Sequence, residues 1–252
     1  MRSLEAVRVR AARFCNDRDW AQFHTPTNLA LALHGEVGEV LEIVQWKGSL
    51  DENERVHMGE ELSDVLIYTT RLCDRCSINL SNCVQEFMKG ANHISNVRSS
   101  PGSGWDESIS FELIANALTL EETNARFFCM KLAQQAGSLS ALFSSHMECG
   151  VELEGWSDDE ISDVGFTLAS IVVLLATIAK CVGIDLADSI SKKMDKNEAK
   201  YPISQSKGSS AKYTAYIKTK RNGVLGALLV GTLSLAVGVL LGRKLHTHKF
   251  LF

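Results

Sequence analysis

Proline is almost missing from this 252-residue chain, where Pro26, Pro101 and Pro202 are the three present. Aromatic residues make up only 7% of it, and alternating apolar–polar runs are nearly absent. A sheet needs such alternation and β-branched or aromatic strands, so a sheet-based fold is excluded. Long stretches instead carry apolar residues at helical spacing, and the expected fold class is all-α. The seven cysteines are odd in number and follow no framework, which excludes a disulfide-stapled domain and points to a reducing compartment. Cys73 and Cys76 form a C-x-x-C inside a predicted helix without a second pair, and read as buried structural thiols rather than a zinc or redox centre.

Acid is missing from one end. Residues 203–252 hold eight basic side chains and no Asp or Glu, leaving 18 of the 26 basic residues against all 30 acidic ones, a net of −12 over 1–202. A body this acidic is a poor nucleic-acid binder, and no nucleic-acid partner is expected. Residues 1–14 carry four arginines on an amphipathic pattern, but Glu5 and the unbroken run into the next residues favour an ordinary first helix over a transit peptide.

What the body does have is paired acid. Glu36 and Glu39, then Glu61 and Asp64, are spaced three apart, so each pair lies on one helix face. Two helices turning those faces together gather four carboxylates, which repel one another unless protons or a divalent cation neutralise them. Mg²⁺ suits an all-oxygen set and commonly accompanies substrate phosphates. Metal-assisted chemistry on a nucleotide phosphate is the function this pattern points to.

Helices are predicted over 4–18, from a cap at Thr25 or Thr27 to about 46, from Asp51 with Glu54 through 76, and over 80–93. A Ser/Gly-rich linker comes next, after which the pattern repeats: a helix over 120–147, a capping box at Ser157 and Glu160, then a helix over 157–182. Gly183-Ile184-Asp185-Leu186 echoes Ser77-Ile78-Asn79-Leu80, and Leu62, Val65, Leu66 and Ile67 align with Leu168, Ile171, Val172 and Val173. The expected organisation is a four-helix unit over 1–94, a linker over 95–110 and a diverged second unit over 111–202. In that register Glu61 and Asp64 meet Thr167 and Ser170, so the second copy lacks the acidic pair. Glu160 and Asp163 lie in the first two turns of their helix and read as dipole-complementing acids.

The first unit resembles the MazG-like all-α nucleoside triphosphate pyrophosphatases, and within them the dCTP pyrophosphatases. The matching residues are Arg18-Asp19-Trp20-Ala21-Gln22-Phe23-His24, Asn28-Leu29-Ala30-Leu31-Ala32 and Gly35-Glu36-Val37-Gly38-Glu39, then Gln45-Trp46-Lys47 and Glu60 through Tyr68. The Lys-Met-Asp-x-Asn…Tyr-Pro tail typical of such units is replaced here by Phe87-Met88-Lys89-Gly90-Ala91. It appears instead in the second unit as Lys193-Met194-Asp195-Lys196-Asn197 and Tyr201-Pro202. The resemblance implies Mg²⁺ on Glu36, Glu39, Glu61 and Asp64, with hydrolysis between the α and β phosphates. It also implies phosphate binding by Lys193, Asn197 and Tyr201, and a base pocket of Trp20, His24, Trp46 and Tyr68. Where similar proteins can carry a histidine three turns before the Trp, this chain has Ala11, leaving dUTP or another deoxynucleotide as the alternative to dCTP or a modified dCTP. Such proteins are dimers of four-helix units, so the chain is expected to be a fused pseudo-dimer with one composite site, itself pairing as a homodimer.

Residues 223–242 form a twenty-residue uncharged run, long enough at about 1.5 Å per residue to span a hydrocarbon core of roughly 30 Å. Lys218, Lys220 and Arg221 flank one side, Arg243 and Lys244 the other. The layout is that of a C-terminal transmembrane tail anchor, after a basic linker over 203–222 and before a short basic tail over 243–252. It would hold the acidic body at the cytosolic face, with the mitochondrial outer membrane favoured over endoplasmic reticulum or peroxisome. Ile171–Ala179 is too short to span and reads as core. The contrasting functional expectation is a non-catalytic membrane-tethered scaffold, against which the intact acidic set argues.

Overall fold

Capping chemistry sets most of the helix starts in the computed structural model, which describes residues 1–91, 93–94, 97–99, 104–118, 124–146 and 153–209. Ser3 opens α1 (Leu4–Asn16), a 3₁₀ turn comes next at Trp20–Gln22, and Thr25 opens α2 (Pro26–Val44) with proline in its first turn. Asp51 and Glu54 close a reciprocal capping box on α3 (Glu52–Arg75), and Asn79 caps α4 (Leu80–Met88). Then come α5 (Phe111–Ala117), α6 (Ala125–Ser144), α7 (Asp158–Val182), α8 (Leu186–Lys200) and α9 (Ile203–Ser206). The Ser157–Glu160 box forms on α7 as its sequence predicts, and Glu160 also meets His146 at 2.8 Å. The seven-residue α5 has no counterpart among the predicted helices, and α4 stops at Met88 rather than 93. Among the described residues there is no strand, only two isolated bridges.

One core runs through the bundle. α2 packs antiparallel on α3 and α6 on α7, while α2 and α6 cross antiparallel, marked by His34 with Ser140 at 3.2 Å and by Arg126 donating to the Gln45 carbonyl. Leu33, Val37, Val40 and Val44 of α2 and Leu132, Ala136, Leu139 and Phe143 of α6 are buried at matching steps. The last helix of each hairpin set crosses over: α4 packs on α7, and α8 packs on α3.

Local contacts recur at one offset. A β-carbon on Gly59 would sit 2.6 Å from Ser189 Oγ, and one on Gly165 would sit 3.1 Å from Cys83 Sγ, so 59 is to 189 as 165 is to 83. Ile78 N–H donates to the Cys73 carbonyl and Ile184 N–H to the Ala179 carbonyl, both at 2.8 Å. These glycines let α8 reach α3, and α4 reach α7, at backbone distance. Gly59→Ala is expected to destabilise the fold by about 1–3 kcal/mol through overpacking, partly recovered by adding Ser189→Gly, as read by denaturant unfolding.

α7 is long and apolar enough to cross a membrane, but it is largely buried by the other helices, and Ile171–Ala179 lies within its core face. The uncharged run over 223–242 lies outside the described residues.

Candidate active site

α2 and α3 meet with their acidic faces together. Single carboxylate oxygens of Glu36, Glu39 and Glu61 lie within 4.8 Å of one another, with Glu61 buried, Glu36 half-buried and Glu39 exposed. Burial, then the charges of Asp64, Glu39 and Glu61, pushes the Glu36 carboxyl up to about 7. Burial also raises Glu61 and Asp64, against the lowering pull of Lys193. Three crowded carboxylates offering only oxygen donors fit a hard divalent cation.

Asp64 stands apart from that trio because α8 claims it. Lys193, 7% exposed, places Nζ 2.7 Å from Asp64 Oδ2 and 3.9 Å from both Glu61 and Glu60, and Asn197 also hydrogen-bonds Asp64. Lys196 holds Glu60 at 2.5 Å. The buried lysine keeps its charge because Asp64 and Glu61 offset the cost of burial, and its pKa is raised. His57, one turn before Glu61, touches it at 3.1 Å from the solvent side. Sequence reasoning missed Glu60, Lys196 and His57 as site residues. Only their placement across α3 and α8 identifies them.

At the corresponding place in the other half, Phe87 of α4 meets Phe166 of α7 edge to face at 5.0 Å. By the 59-to-165 offset Phe166 answers to Glu60, and Phe87 answers to Lys193. Aromatic packing occupies the position where the first site has an ion pair.

The predicted base residues divide. Trp20 packs edge-on against Tyr201 at 5.3 Å, touches His24 at 6.4 Å and Phe14 at 5.5 Å, and donates its indole N–H to the Ser206 carbonyl. Arg18 anchors this turn by donating to the Tyr201 carbonyl at 2.7 Å. Tyr68 is half-buried next to Glu36, Asp64 and Tyr201, and burial drives its phenol well above the usual range. It therefore bridges the aromatic group and the carboxylates. The structure does not bring Trp46 to them. It is 88% exposed beyond the C-terminus of α2, whose 19 residues place it about 28 Å from the aromatic end.

The bundle thus carries a carboxylate cluster with only oxygen donors, a buried lysine against Asp64 beside it, and an aromatic group joined to it through Tyr68. Residues 24–93 match the MazG nucleotide pyrophosphohydrolase domain. Curated relatives include dCTP pyrophosphatase 1 of Rattus norvegicus and of Mus musculus, each 47% identical over 89 residues, 32% of this chain and 52% of the relative. The Homo sapiens protein of that name is 48% identical over 85 residues, 31% of this chain and 50% of the relative. The chain thus spans about half the length of the curated relatives it matches.

Proposed function

We propose that the chain is a Mg²⁺-dependent pyrophosphatase that hydrolyses dCTP, or a modified dCTP, to the monophosphate and pyrophosphate. The observation that carries this reading is the 2.7 Å contact of Lys193 with Asp64 beside the Glu36–Glu39–Glu61 cluster. It joins a phosphate-binding cation from one half of the chain to metal-type carboxylates from the other. We read the crossed α4 and α8, and the contacts repeated at one offset, as the signature of a fused pseudo-dimer with a single composite site.

Glu36, Glu39 and Glu61, with Asp64 adjoining, would hold the cation, which when bound offsets phosphate charge and acidifies water. The chain's own residues do the rest. Lys193 presents a positive charge and Asn197 an amide donor to phosphate oxygens. Water attacks the α-phosphorus, the α–β bridging P–O bond breaks, and pyrophosphate leaves. Glu36, more enclosed than Glu39, is the carboxylate assigned to take the water's proton. Trp20 and Tyr68 offer flat faces for a pyrimidine.

The uncharged run over 223–242 would anchor this enzyme to the cytosolic face of an intracellular membrane, the mitochondrial outer membrane first, with two chains pairing. Resistance of the tagged chain to alkaline carbonate extraction, lost when 223–242 is deleted, is the test of anchoring.

The activity test is pyrophosphate release by the detergent-solubilised full chain across the standard nucleotides, with Mg²⁺ and with chelator. Release that is fastest from dCTP and abolished by chelation is expected. A uracil preference would move the substrate to dUTP, and no release from any nucleotide would turn the reading to a membrane-tethered scaffold.

A further inference from the structure

Two lysines of α8 approach one carboxylate oxygen of α3. Glu60 Oε2 meets Lys196 Nζ at 2.5 Å and lies 3.9 Å from Lys193 Nζ. The two are held differently. Lys193 is 7% exposed and fixed to Asp64 at 2.7 Å. Lys196 keeps 58% of its side chain exposed, and Glu60 keeps 28%. An exposed pair of this kind binds weakly in water, and the four-carbon stem of a lysine lets its ammonium reach more than one partner. A terminal phosphate carries more charge and more acceptor oxygens than a carboxylate, so it competes well for that ammonium.

Position along α3 gives the direction. Tyr68, Asp64 and Glu60 are spaced at four-residue steps, one stripe of the helix about 12 Å long. The aromatic group joins this stripe at Tyr68, which lies beside Tyr201 and Asp64. Lys193 and Asn197 meet it in the middle, at Asp64, and Lys196 meets it at the far end, at Glu60. A nucleotide with its base at Tyr68 and its reacting phosphate at the carboxylate cluster therefore runs its outer phosphates toward Lys196.

We infer that Lys196 is a specificity residue for the length of the phosphate chain, leaving Glu60 to hold the γ-phosphate of a triphosphate and returning to it as pyrophosphate departs. The resemblance gives this lysine no role, since it falls at the open position of the Lys-Met-Asp-x-Asn tail. A diphosphate ends at the phosphate nearer Lys193 and forgoes the contact. Glu60 is the competing anion: each outer phosphate must displace it from the lysine, which keeps the product from binding too tightly to leave. The assignment rests on the nucleotide reading above and adds the count of phosphates to it. Lys196 takes no part in the bond-breaking step.

The test is calorimetric titration of the full chain in detergent with pyrophosphate and with dCMP, both in Mg²⁺, beside kcat/KM for dCTP and dCDP. Glu60→Gln frees Lys196 from its carboxylate and is expected to tighten pyrophosphate binding about threefold. Adding Lys196→Met to Glu60→Gln is expected to weaken pyrophosphate about tenfold or more while dCMP stays within about twofold. Lys196→Met alone is expected to lower the dCTP-to-dCDP ratio of kcat/KM about tenfold, and Lys196→Arg to keep most of it. Both side chains lie at the surface, and thermal melting checks that each variant is folded. A lysine that served only to neutralise Glu60 would show no loss once Glu60 is glutamine, and that result overturns the inference. An equal loss of dCMP and pyrophosphate also overturns it, because it puts Lys196 at the α-phosphate or in the fold. A chain with this binding pattern that releases no pyrophosphate from any nucleotide overturns the catalytic reading and leaves this one standing. An active chain whose preference for dCTP over dCDP survives Lys196→Met does the reverse.

Discussion

Alanine in place of Lys193 is expected to slow pyrophosphate release about a hundredfold or more, the usual scale for removing a charged group aimed at developing negative charge in a water-poor site. Two losses combine. The phosphates lose a cation, and Asp64 is left half-buried beside Glu36 and Glu61 with its ion-pair partner gone. The matched control is Phe87→Ala, at the corresponding place in the other half, where Phe87 meets Phe166. It is expected to cost about 2–3 kcal/mol of stability, somewhat below the value for a fully buried phenylalanine. Its turnover should remain within threefold of wild type. A folded Lys193→Ala protein with wild-type turnover would sink the composite site, and a Phe87→Ala protein that loses turnover would mean the second half is catalytically engaged.

Local signals carried well from sequence to structure. Both capping boxes form, at Asp51 with Glu54 and Ser157 with Glu160, because each is settled within one turn of helix. The carboxylate pairs were legible for the same reason, since three-residue spacing fixes a face. Tertiary facts were less so. The motif tail in the second half read as phosphate-binding, and its contact with Asp64 was not legible, because the crossing of α8 onto α3 relies on Gly59 leaving room for Ser189, which no periodicity reveals. Trp46 matched by motif, yet the length of α2 carries it away from Trp20. Arg71 reads in sequence as an ordinary charge near a helix end. Packing buries it and leaves its Nε without a partner, which no sequence pattern reveals.

Without divalent cation, the fold is expected to be more stable at pH 5.5 than at pH 8. The carboxylates set the sign. Glu36, Glu61 and Asp64 all have folded pKa values above their ordinary ones, so the folded chain binds protons more tightly than the unfolded chain. Their contribution is fully present below the ordinary carboxylate pKa and is lost as pH rises, through about 7 for Glu36. Glu36 alone, moving from 4.5 to about 7, contributes roughly 1–2 kcal/mol between pH 5.5 and pH 8 once partial exposure is discounted. For a folded body of this size that is about 2–6 °C in melting temperature. Lys193 stays charged throughout this window. His24, held down at about 4 chiefly by burial, opposes the carboxylates as the unfolded imidazole takes up a proton toward pH 5.5. Glu61 and Asp64 add to Glu36 and keep the net sign. Mg²⁺ competes with protons for the same oxygens, so it should raise the melting temperature at pH 8 and have little effect at pH 5.5. Glu36→Gln should flatten the chelated protein's pH dependence and weaken the Mg²⁺ response together. Differential scanning calorimetry of wild type and Glu36→Gln, at both pH values with EDTA or Mg²⁺, reads all of this. A melting temperature that rises with pH in EDTA, or a Mg²⁺ shift equal at the two pH values, would remove the carboxylate cluster as the cation's seat.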